Sequence, residues 1–418
     1  FRSKAVRFLL IAIILFGIPS CKKQEPNNTK AVAGEVVEGN FKCKQPIKLS
    51  VVWMEGVNVI EPENTPVLVK AAEYTNISLE NMLQSSTTDV KQTLSLMMSS
   101  GKLPDIIHAN GGRNLLQYAG DGALIPLDEL IDEYAPNIKK YFEQNPGVYK
   151  DLLSTDGKIY YIPSIADGDV SFGWFIRKDW LDRLGLEMPQ NVDEYYNALA
   201  AFKTKDPNGN GINDEIPYFN RNAGVKFDTS VTCLYVLWNA HKNLILRDDK
   251  IVYGSMEPQF KEAVKQISKW YRERIIDPEI FTRGNKAREI LLEENLGCST
   301  YDWMGSTAQF NDTLAGKVPG FNIQPMPPPS GRVYDYRGVL KDVGWGVSSK
   351  CKNPIEAIRY MDFWFGETGK RLANYGIEGE TYNMVNGREI LTDKVLKGEK
   401  PALDILNDYG AQFIMGFV

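Results

Sequence analysis

The chain has 418 residues, of which 43% are hydrophobic and 24% charged, a composition typical of a globular protein with well-filled cores. This length exceeds one ordinary domain, so we expect two lobes or more. The net charge of −5 comes without a basic block, which argues against a nucleic-acid partner. His108 and His241 lie in no zinc-ligand spacing, which argues against zinc chemistry.

The N-terminal stretch has the pattern of an export signal. The apolar run at 8–18 is too short to span a membrane, and it follows three basic residues, Arg2, Lys4 and Arg7. The run leads to Ser20-Cys21, which is typical of a bacterial lipobox, although Pro19 is not. We expect a signal peptide at 1–20 and lipidation of Cys21, with a plain cleaved signal and a coincidental cysteine as the alternatives. Because the first residue is Phe and not Met, we also expect residues before it.

The segment at 21–45 is polar and poor in large apolar residues, which predicts a flexible tether. Folded structure is predicted to begin with an alternating, β-rich strand at 47–53. Helices are predicted at 66–75 and 92–100, followed by a buried strand at 105–109. This alternation of strands and helices predicts an α/β lobe that binds ligands beyond the carboxyl ends of its strands.

The loop at 206–215 resembles a calcium-binding EF-hand loop, in which oxygen ligands alternate around a central glycine. Its predicted ligands are the side chains of Asp206, Asn208, Asn210 and Asp214 and the backbone carbonyl of Ile212. Pro217 takes the position of the usual closing glutamate, so Glu215 is predicted to close the site. A solvated polar turn explains the same residues, and both alternatives stay open here. A capping box formed by Asn191 and Glu194 begins the helix that leads into the loop.

The chain contains no CxxC pair, and its cysteines besides Cys21 are Cys43, Cys233, Cys298 and Cys351. Four cysteines are enough for two disulfides in an oxidising compartment. Buried free thiols fit the sequence equally well, so the pattern leaves both states open.

Three separated segments resemble one protein family. Residues 156–163 are DGKIYYIP, residues 174–218 are WFIRKDWLDRLGLEMPQNVDEYYNALAAFKTKDPNGNGINDEIPY, and residues 353–382 are NPIEAIRYMDFWFGETGKRLANYGIEGETY. In this order they resemble the extracellular solute-binding proteins (family 1) of bacterial ABC sugar importers. The likeness is to the long lipoprotein branch that includes the alginate-oligosaccharide-binding proteins, and it covers about residues 47–395.

The resemblance implies an α/β, two-lobed periplasmic-binding-protein fold with a hinge and an inter-lobe ligand cleft. Lobe 1 is placed at 46–165 and 304–352, and lobe 2 at 166–303 and 353–418. Three crossings between the lobes are implied, near 165–171, 300–304 and 350–356. Further C-terminal helices follow in this branch of the family, so we expect the printed chain to stop short of the natural end.

The resemblance also implies an exported, lipid-anchored protein that faces the periplasm or cell exterior. It would capture a carbohydrate, above all an oligosaccharide, for the membrane subunits of an ABC importer, with structural calcium in the 206–215 loop. We expect a monomer that meets the membrane only through its lipid, and no enzyme, since the sequence has no GxSxG elbow, P-loop or dinucleotide fingerprint. The alternatives are a ligand-sensing receptor for a membrane signalling protein and, more distantly, a polysaccharide-degrading enzyme.

A sugar cleft needs flat aromatic faces for the C–H side of each ring and polar side chains for the hydroxyls. Candidates for the aromatic faces are five tryptophans near strand ends or crossings: Trp53, Trp174, Trp238, Trp303 and Trp345. Core filling is the alternative for each of them. The match to the family's cleft loop implies that Glu378 is a polar contact and Tyr382 a stacking ring, and a surface hairpin is the alternative there.

Overall fold

The structure, a computed structural model, describes residues 31–412 except for 38, 56–57, 85–86, 88, 111, 166–171, 222–230, 285 and 333–339. Two separate sheets organise the described residues, one of five strands and one of four. Each sheet is packed on helices and has its own hydrophobic core. The predicted two-lobed α/β fold is therefore confirmed.

Lobe 1 begins with eight strands and six helices. The strands are β1 (Gly34–Val37), β2 (Asn40–Cys43), β3 (Ile47–Val52), β4 (Met54–Glu55), β5 (Asn58–Val59), β6 (Ile77–Asn81), β7 (Ile106–Asn110) and β8 (Ile162–Ile165). The helices are α1 (Pro66–Thr75), α2 (Val90–Ser100), α3 (Gly112–Gly120), α4 (Asp128–Tyr134), α5 (Pro136–Gln144) and α6 (Pro146–Leu152), with a 3₁₀ turn at Pro62–Asn64.

Lobe 2 follows with six strands and six helices. The strands are β9 (Phe172–Arg177), β10 (Ile216–Tyr218), β11 (Leu244–Arg247), β12 (Lys250–Tyr253), β13 (Gly297–Trp303) and β14 (Ile323–Met326). The helices are α7 (Lys178–Leu184), α8 (Val192–Thr204), α9 (Pro258–Arg272), α10 (Ala287–Glu293), α11 (Met304–Ala308) and α12 (Phe310–Leu314), with 3₁₀ segments at Thr232–Trp238 and Gly254–Met256.

The chain then returns to lobe 1 with three strands and four helices. They are β15 (Leu340–Val347), β16 (Tyr382–Val385), β17 (Arg388–Leu391), α13 (Pro354–Phe365), α14 (Glu367–Tyr375), α15 (Asp393–Leu396) and α16 (Ala402–Asp408). Helices α13 and α14 are separated by Gly366, whose backbone is extended.

The lobe 1 sheet has the order β6-β3-β7-β15-β8. Strand β3 is parallel to β6 and β7, while β15 runs antiparallel to both β7 and β8. Four of the five strands therefore point the same way, and their carboxyl ends share one edge. Leu49 and Val51 of β3 are fully buried, as the alternating sequence of this strand predicts.

The lobe 2 sheet has the order β10-β13-β9-β14. Strand β13 is parallel to β10 and antiparallel to β9, so the carboxyl ends of β10 and β13 meet the start of β9. Helix α8 begins where the capping box predicts, since Asn191 Oδ1 accepts the Glu194 N–H at 2.9 Å and Glu194 Oε2 accepts the Gln190 N–H at 2.8 Å.

The predicted lobe boundaries at 304–352 and 353–418 are wrong. Strand β14 pairs with β9 of lobe 2, because α11 and α12 turn the chain back onto that sheet. Helices α13 and α14 contribute buried residues such as Trp364 and Leu372 to the lobe 1 core. The strands that flank the changes show that the chain leaves lobe 1 after Ile165 and has entered lobe 2 at Phe172, and that it returns between Met326 and Leu340. The first change agrees with the crossing predicted near 165–171, whereas those predicted near 300–304 and 350–356 are not found in the described residues. Residues 413–418 lie outside the described part.

The tether predicted at 21–45 is wrong for residues 31–45. Strands β1 and β2 form a hairpin on lobe 1, in which Cys43 is fully buried. The Val32 N–H donates to Glu356 Oε1 at 2.8 Å, and the Arg359 guanidinium lies 3.7 Å from the Phe41 ring centroid. Composition missed this segment because its partners lie more than 300 residues away. Residues 1–30, including the predicted signal and Cys21, lie outside the described part.

The four described cysteines, Cys43, Cys233, Cys298 and Cys351, are buried free thiols. Burial raises the pKa of each thiol, so all four are protonated at neutral pH. Among the residues that the structure describes, every helix is too short or too polar to cross a bilayer.

Candidate ligand-binding site

Three segments of lobe 2 meet at the carboxyl edge of its sheet. Strand β13 ends at Trp303, and Arg221 follows shortly after the end of β10. Strand β9 starts at Phe172, directly opposite Trp303 in the ladder and directly after the passage from lobe 1. Ligands of α/β proteins bind at this edge of a sheet, so the geometry makes it the candidate site.

The aromatic part of the site is a connected row of rings. Phe172 lies 4.2 Å from Trp303 and 5.9 Å from Tyr301 between ring centroids, and Tyr301 lies 5.1 Å from Trp174. Trp174, at the Tyr301 end of the row, is buried, whereas Trp303 at the other end is 42% exposed. Since large aromatic rings are normally covered in a core, an exposed ring held by neighbouring rings is suited to stacking on a ligand.

The charged part of the site centres on the buried carboxylate of Asp302. Arg221 Nε donates to Asp302 Oδ1 at 2.8 Å, and Arg288 Nη1 approaches Oδ2 at 3.1 Å. Both guanidinium groups also bond the Ser306 hydroxyl. Burial lowers the pKa of Arg221, which Asp302 counteracts. The network holds Arg221, whose side chain is 27% exposed, and its Nε and the backbone N–H of Trp303 both donate to Asp302 Oδ1.

The sequence singled out Trp303 but missed Asp302, Arg221, Arg288 and Phe172. Asp302 is adjacent to Trp303 in the chain and could have been found from that position. The two arginines lie 81 and 14 residues from Asp302 along the chain, so no local pattern joins them to it.

Three of the predicted tryptophans belong to the cores and expose no ring face to a ligand. Trp53 and Trp345 pack edge to face at 4.6 Å and are buried together with His108 in lobe 1. Burial lowers the pKa of His108 to about 3, so this imidazole is neutral. Trp174 is also buried, and the ligand-contact prediction for these three rings is wrong because each is at most 3% exposed. Trp238 is half-buried against Trp270, and its role stays a prediction.

The segment with Glu378 and Tyr382 lies in lobe 1, on the turn from α14 to the β16–β17 hairpin. Tyr382 is buried against Tyr375 with 5.9 Å between ring centroids, so the stacking role predicted for it is wrong. Burial raises its pKa to about 12. Glu378 is exposed next to it, and its contact with a ligand stays a prediction.

The loop at 206–215 is folded around its own carboxylates. The Asp206 carboxylate accepts the N–H groups of Gly209, Asn210 and Gly211 at 3.0, 3.1 and 2.8 Å. The amide nitrogens of Asn208 and Asn210 both donate to Asp214 Oδ1, at 3.2 and 3.1 Å. Ile212 is exposed at the outer turn of the loop.

The donor set of this loop fits a calcium ion. Glu215 is buried, its Oε2 has no hydrogen-bond partner, and its pKa is raised by burial and then by Asp206 and Asp214. A hard cation would offset that repulsion and give the orphaned oxygen a partner. Among the described residues, His, Cys, Asp and Glu alone form no group of three that could hold a metal, so the asparagines and a carbonyl are needed to complete the set.

The loop and the aromatic row lie at opposite ends of β13 in the lobe 2 sheet. The Ile216 N–H donates to the Leu296 carbonyl at 2.9 Å, just before β13 begins, whereas Trp303 ends that seven-residue strand. At about 3.3 Å per residue the two features are roughly 20 Å apart. Asn208 reaches the Asn295 carbonyl at 3.4 Å, and Asn295 accepts from the buried Arg177, so the loop is fixed to the core of the lobe.

The chain folds into two α/β lobes joined by chain passages. Exposed aromatic and charged groups lie at one sheet edge, beside one of these passages. Together these features define a two-lobed solute-binding protein. The profile of the bacterial extracellular solute-binding proteins matches residues 60–371, and the chain belongs to this family. Because the family is extracellular, this is an exported protein.

Curated relatives match parts of the chain. A fructooligosaccharide ABC transporter substrate-binding protein, FusA of Streptococcus pneumoniae serotype 4, is 34% identical over 235 residues, which are 53% of this chain and 43% of FusA. The lipoprotein LipO of Bacillus subtilis is 23% identical over 346 residues, 78% of this chain and 65% of LipO. The chain thus spans between two-fifths and two-thirds of the curated relatives it matches.

Solved structures extend the similarity over most of the chain. The crystal structure of alginate-binding protein AlgQ2 without calcium ion has a TM-score of 0.75 and 36% identity, covering 92% of this chain and 79% of that one. FusA in complex with kestose has a TM-score of 0.67 and 25% identity, covering 89% and 77%.

Proposed function

We propose that this protein captures an oligosaccharide between its lobes and presents it to the membrane subunits of an ABC importer. The observation that carries the proposal is the exposed ring of Trp303, which packs on Phe172 at the carboxyl edge of the lobe 2 sheet, where Arg221 and the Trp303 N–H share the acceptor Asp302 Oδ1. A ring face stacks on the C–H side of a sugar, and a guanidinium donates to its hydroxyl or carboxyl oxygens.

The relatives support this choice of ligand class. FusA is named for fructooligosaccharides, AlgQ2 for alginate, and YtcQ of Bacillus subtilis, 28% identical over 225 residues, for polygalacturonan and rhamnogalacturonan. The site lies beside the passage at 165–172, so a ligand held there sits next to the connection between lobes. Binding to both lobes would favour a closed form, which is the state for an importer to recognise.

The test is a titration of tryptophan fluorescence with kestose, oligoalginate and oligogalacturonate, with the products assayed in parallel. We expect saturable binding of at least one oligosaccharide and no cleavage. Trp303→Ala should weaken the affinity by about 10-fold or more, because the stacking face is lost. The matched control is Tyr149→Ala, which removes a 39% exposed ring of lobe 1 and should leave the affinity unchanged.

Two results would contradict this proposal. Sustained product formation would make the protein an enzyme, and equal affinities of wild type and Trp303→Ala would remove the aromatic row from the ligand site.

We also propose that the 206–215 loop binds a structural calcium ion. Asp206, Asn208, Asn210, Asp214, Glu215 and the Ile212 carbonyl would hold it. The unpartnered Glu215 oxygen supports this, as do the AlgQ2 and FusA relatives, of which one was studied without calcium and one as an EF-hand mutant. When bound, the ion would offset the repulsion among the loop's carboxylates and so hold α8 against β10. The loop and the aromatic row lie at opposite ends of β13, which supports a structural role for the ion and not a contact with the ligand.

We propose in addition that Cys21 carries a lipid that anchors the protein to the bacterial membrane. The apolar run at 8–18 followed by Ser20-Cys21 supports this, and LipO is named a lipoprotein. The expected result is incorporation of labelled palmitate into the wild type and none into Cys21→Ser. Labelling of Cys21→Ser at the wild-type level would rule the anchor out.

A further inference from the structure

The charged side chains around Asp302, at the carboxyl edge of the lobe 2 sheet, balance one another. The guanidinium groups of Arg221 and Arg288 face the carboxylates of Asp302 and Glu289. Arg221 Nε lies 2.8 Å from Asp302 Oδ1, and Arg288 Nη1 lies 3.1 Å from Asp302 Oδ2. Arg288 Nη2 lies 2.7 Å from Glu289 Oε1. Two positive and two negative charges cancel, so this cluster, the Asp302 cluster, has no net charge.

Most hydrogen-bond donors of the two arginines are used inside the protein. In Arg288, Nε and Nη2 donate to Glu289 Oε1 at 3.2 and 2.7 Å, and Nη1 donates to Asp302 and Ser306. In Arg221, Nε donates to Asp302 and Nη2 to the Ser306 hydroxyl at 2.5 Å. The fork formed by Nε and Nη2, which matches the two oxygens of a carboxylate, is therefore occupied in both residues.

The outer end of Arg221 is the part of the cluster that a ligand can reach. Among the residues that the structure describes, Arg221 Nη1 has no acceptor, and this side chain is 27% exposed, against 7% for Arg288. The backbone N–H of Trp303 donates to Asp302 at 2.7 Å, so the exposed ring and the outer end of Arg221 are fixed to one carboxylate. A ligand stacked on that ring is offered a donor whose positive charge is already matched.

The charge balance separates two chemical classes of oligosaccharide, the uncharged ones and those that carry carboxylates. A hydroxyl or ring oxygen needs only a donor, which Arg221 Nη1 supplies. A ligand carboxylate would bring a further negative charge close to Asp302, and the described cations of the cluster are already paired. The net charge of −5 on the whole chain adds a long-range field that also disfavours an anion.

We propose that this site selects uncharged oligosaccharides over acidic ones, and that Asp302 and Glu289 set the preference. Asp302 acts by balancing the charge of Arg221, and Glu289 acts through Arg288. This preference rests on the proposed function, because it concerns the same site, and it adds the chemical class of the ligand. The site thus combines a stacking ring with a single donor and without an excess of positive charge.

The test compares ligands that differ in charge but not in their sugar chain. Trigalacturonate and its fully methyl-esterified form are titrated by tryptophan fluorescence, with oligoalginate as a second acidic probe and kestose, cellotriose and xylotriose as further uncharged probes. Each acidic probe should bind at least about 10-fold more weakly than the tightest uncharged probe, the order of one uncompensated charge at about 10 Å and an effective dielectric constant of about 20.

Glu289→Gln tests the charge balance directly. It leaves two cations with one carboxylate, so the affinity for the acidic probes relative to the tightest uncharged probe should rise by about 3- to 10-fold. The matched control is Glu293→Gln, which removes an exposed carboxylate from the same helix, α10, and should leave this ratio as in the wild type. Melting temperatures of both variants verify that they are folded.

The outcomes distinguish this preference from the proposed function. An acidic probe that binds as tightly as the best uncharged probe would overturn the preference and leave oligosaccharide capture intact. Equal affinity ratios in Glu289→Gln and Glu293→Gln would also overturn it, because the charge of Glu289 would then have no effect. If the wild type binds none of the probes, oligosaccharide capture itself is contradicted and the preference falls with it.

Discussion

Asp302→Ala is expected to lower the free energy of unfolding by about 3–5 kcal/mol, the effect of removing one partner from a buried ion pair. Asp302 is 2% exposed and is the shared acceptor of Arg221 and Arg288. Without it, two cations remain in a region of low polarity, where neither recovers full hydration. The measurement is urea unfolding followed by tryptophan fluorescence.

The double variant Asp302→Ala with Arg288→Met distinguishes charge from packing. It removes the more buried cation together with its partner, so we expect it to recover about 1–2 kcal/mol of the loss. Asp312→Ala, an exposed aspartate on α12, is the control and should change stability by less than about 0.5 kcal/mol. If the double variant is less stable than both Asp302→Ala and Arg288→Met alone, packing and not charge dominates the stability of this network.

Calcium is expected to raise the melting temperature of the wild type, and its removal with EGTA to lower it. An ion present at about 100 times its dissociation constant stabilises the folded state by about 2.7 kcal/mol, because it binds that state alone. Asp214→Ala and Glu215→Gln should each lose most of this response. We choose these positions because Asp206 has a φ of 44°, where an alanine would add backbone strain of its own.

The control for the calcium response is Asp193→Ala, which removes an exposed carboxylate from the first turn of α8. It should respond to calcium as the wild type does. Equal responses of wild type, Asp214→Ala and Glu215→Gln would leave the loop as a polar turn. Oligosaccharide affinity at saturating calcium should be unchanged in Glu215→Gln, because the loop and the aromatic row occupy opposite ends of β13.

Local patterns predicted the secondary structure well. The alternation at 47–53 predicted β3, the predicted helix at 66–75 coincides with α1, and the capping box at Asn191 marked the start of α8. Each of these features depends on neighbours within a few residues. The hairpin of β1 and β2 escaped prediction because its polar sequence is stabilised by α13, far along the chain.

The candidate site was predicted only in part, because the same residue type occurs in the core and at the surface. Trp174 and Trp303 lie on neighbouring strands of one sheet, yet one ring is buried and the other is 42% exposed. Both rings lie on the same face of that sheet, and the sequence does not show which part of the face other segments cover. The lobe boundaries failed for a similar reason, since the return of the chain through α11 and α12 to β14 depends on long-range strand pairing.

By itself, the sequence determined the α/β class, most elements, the oxygen-rich loop at 206–215 and the family, because each is encoded in contiguous residues. The tertiary structure alone decided which tryptophan is accessible, which carboxylate joins Arg221 to Arg288 and where the chain changes lobes. These features arise from residues that meet only after the sheets form, when burial and strand pairing bring distant segments together.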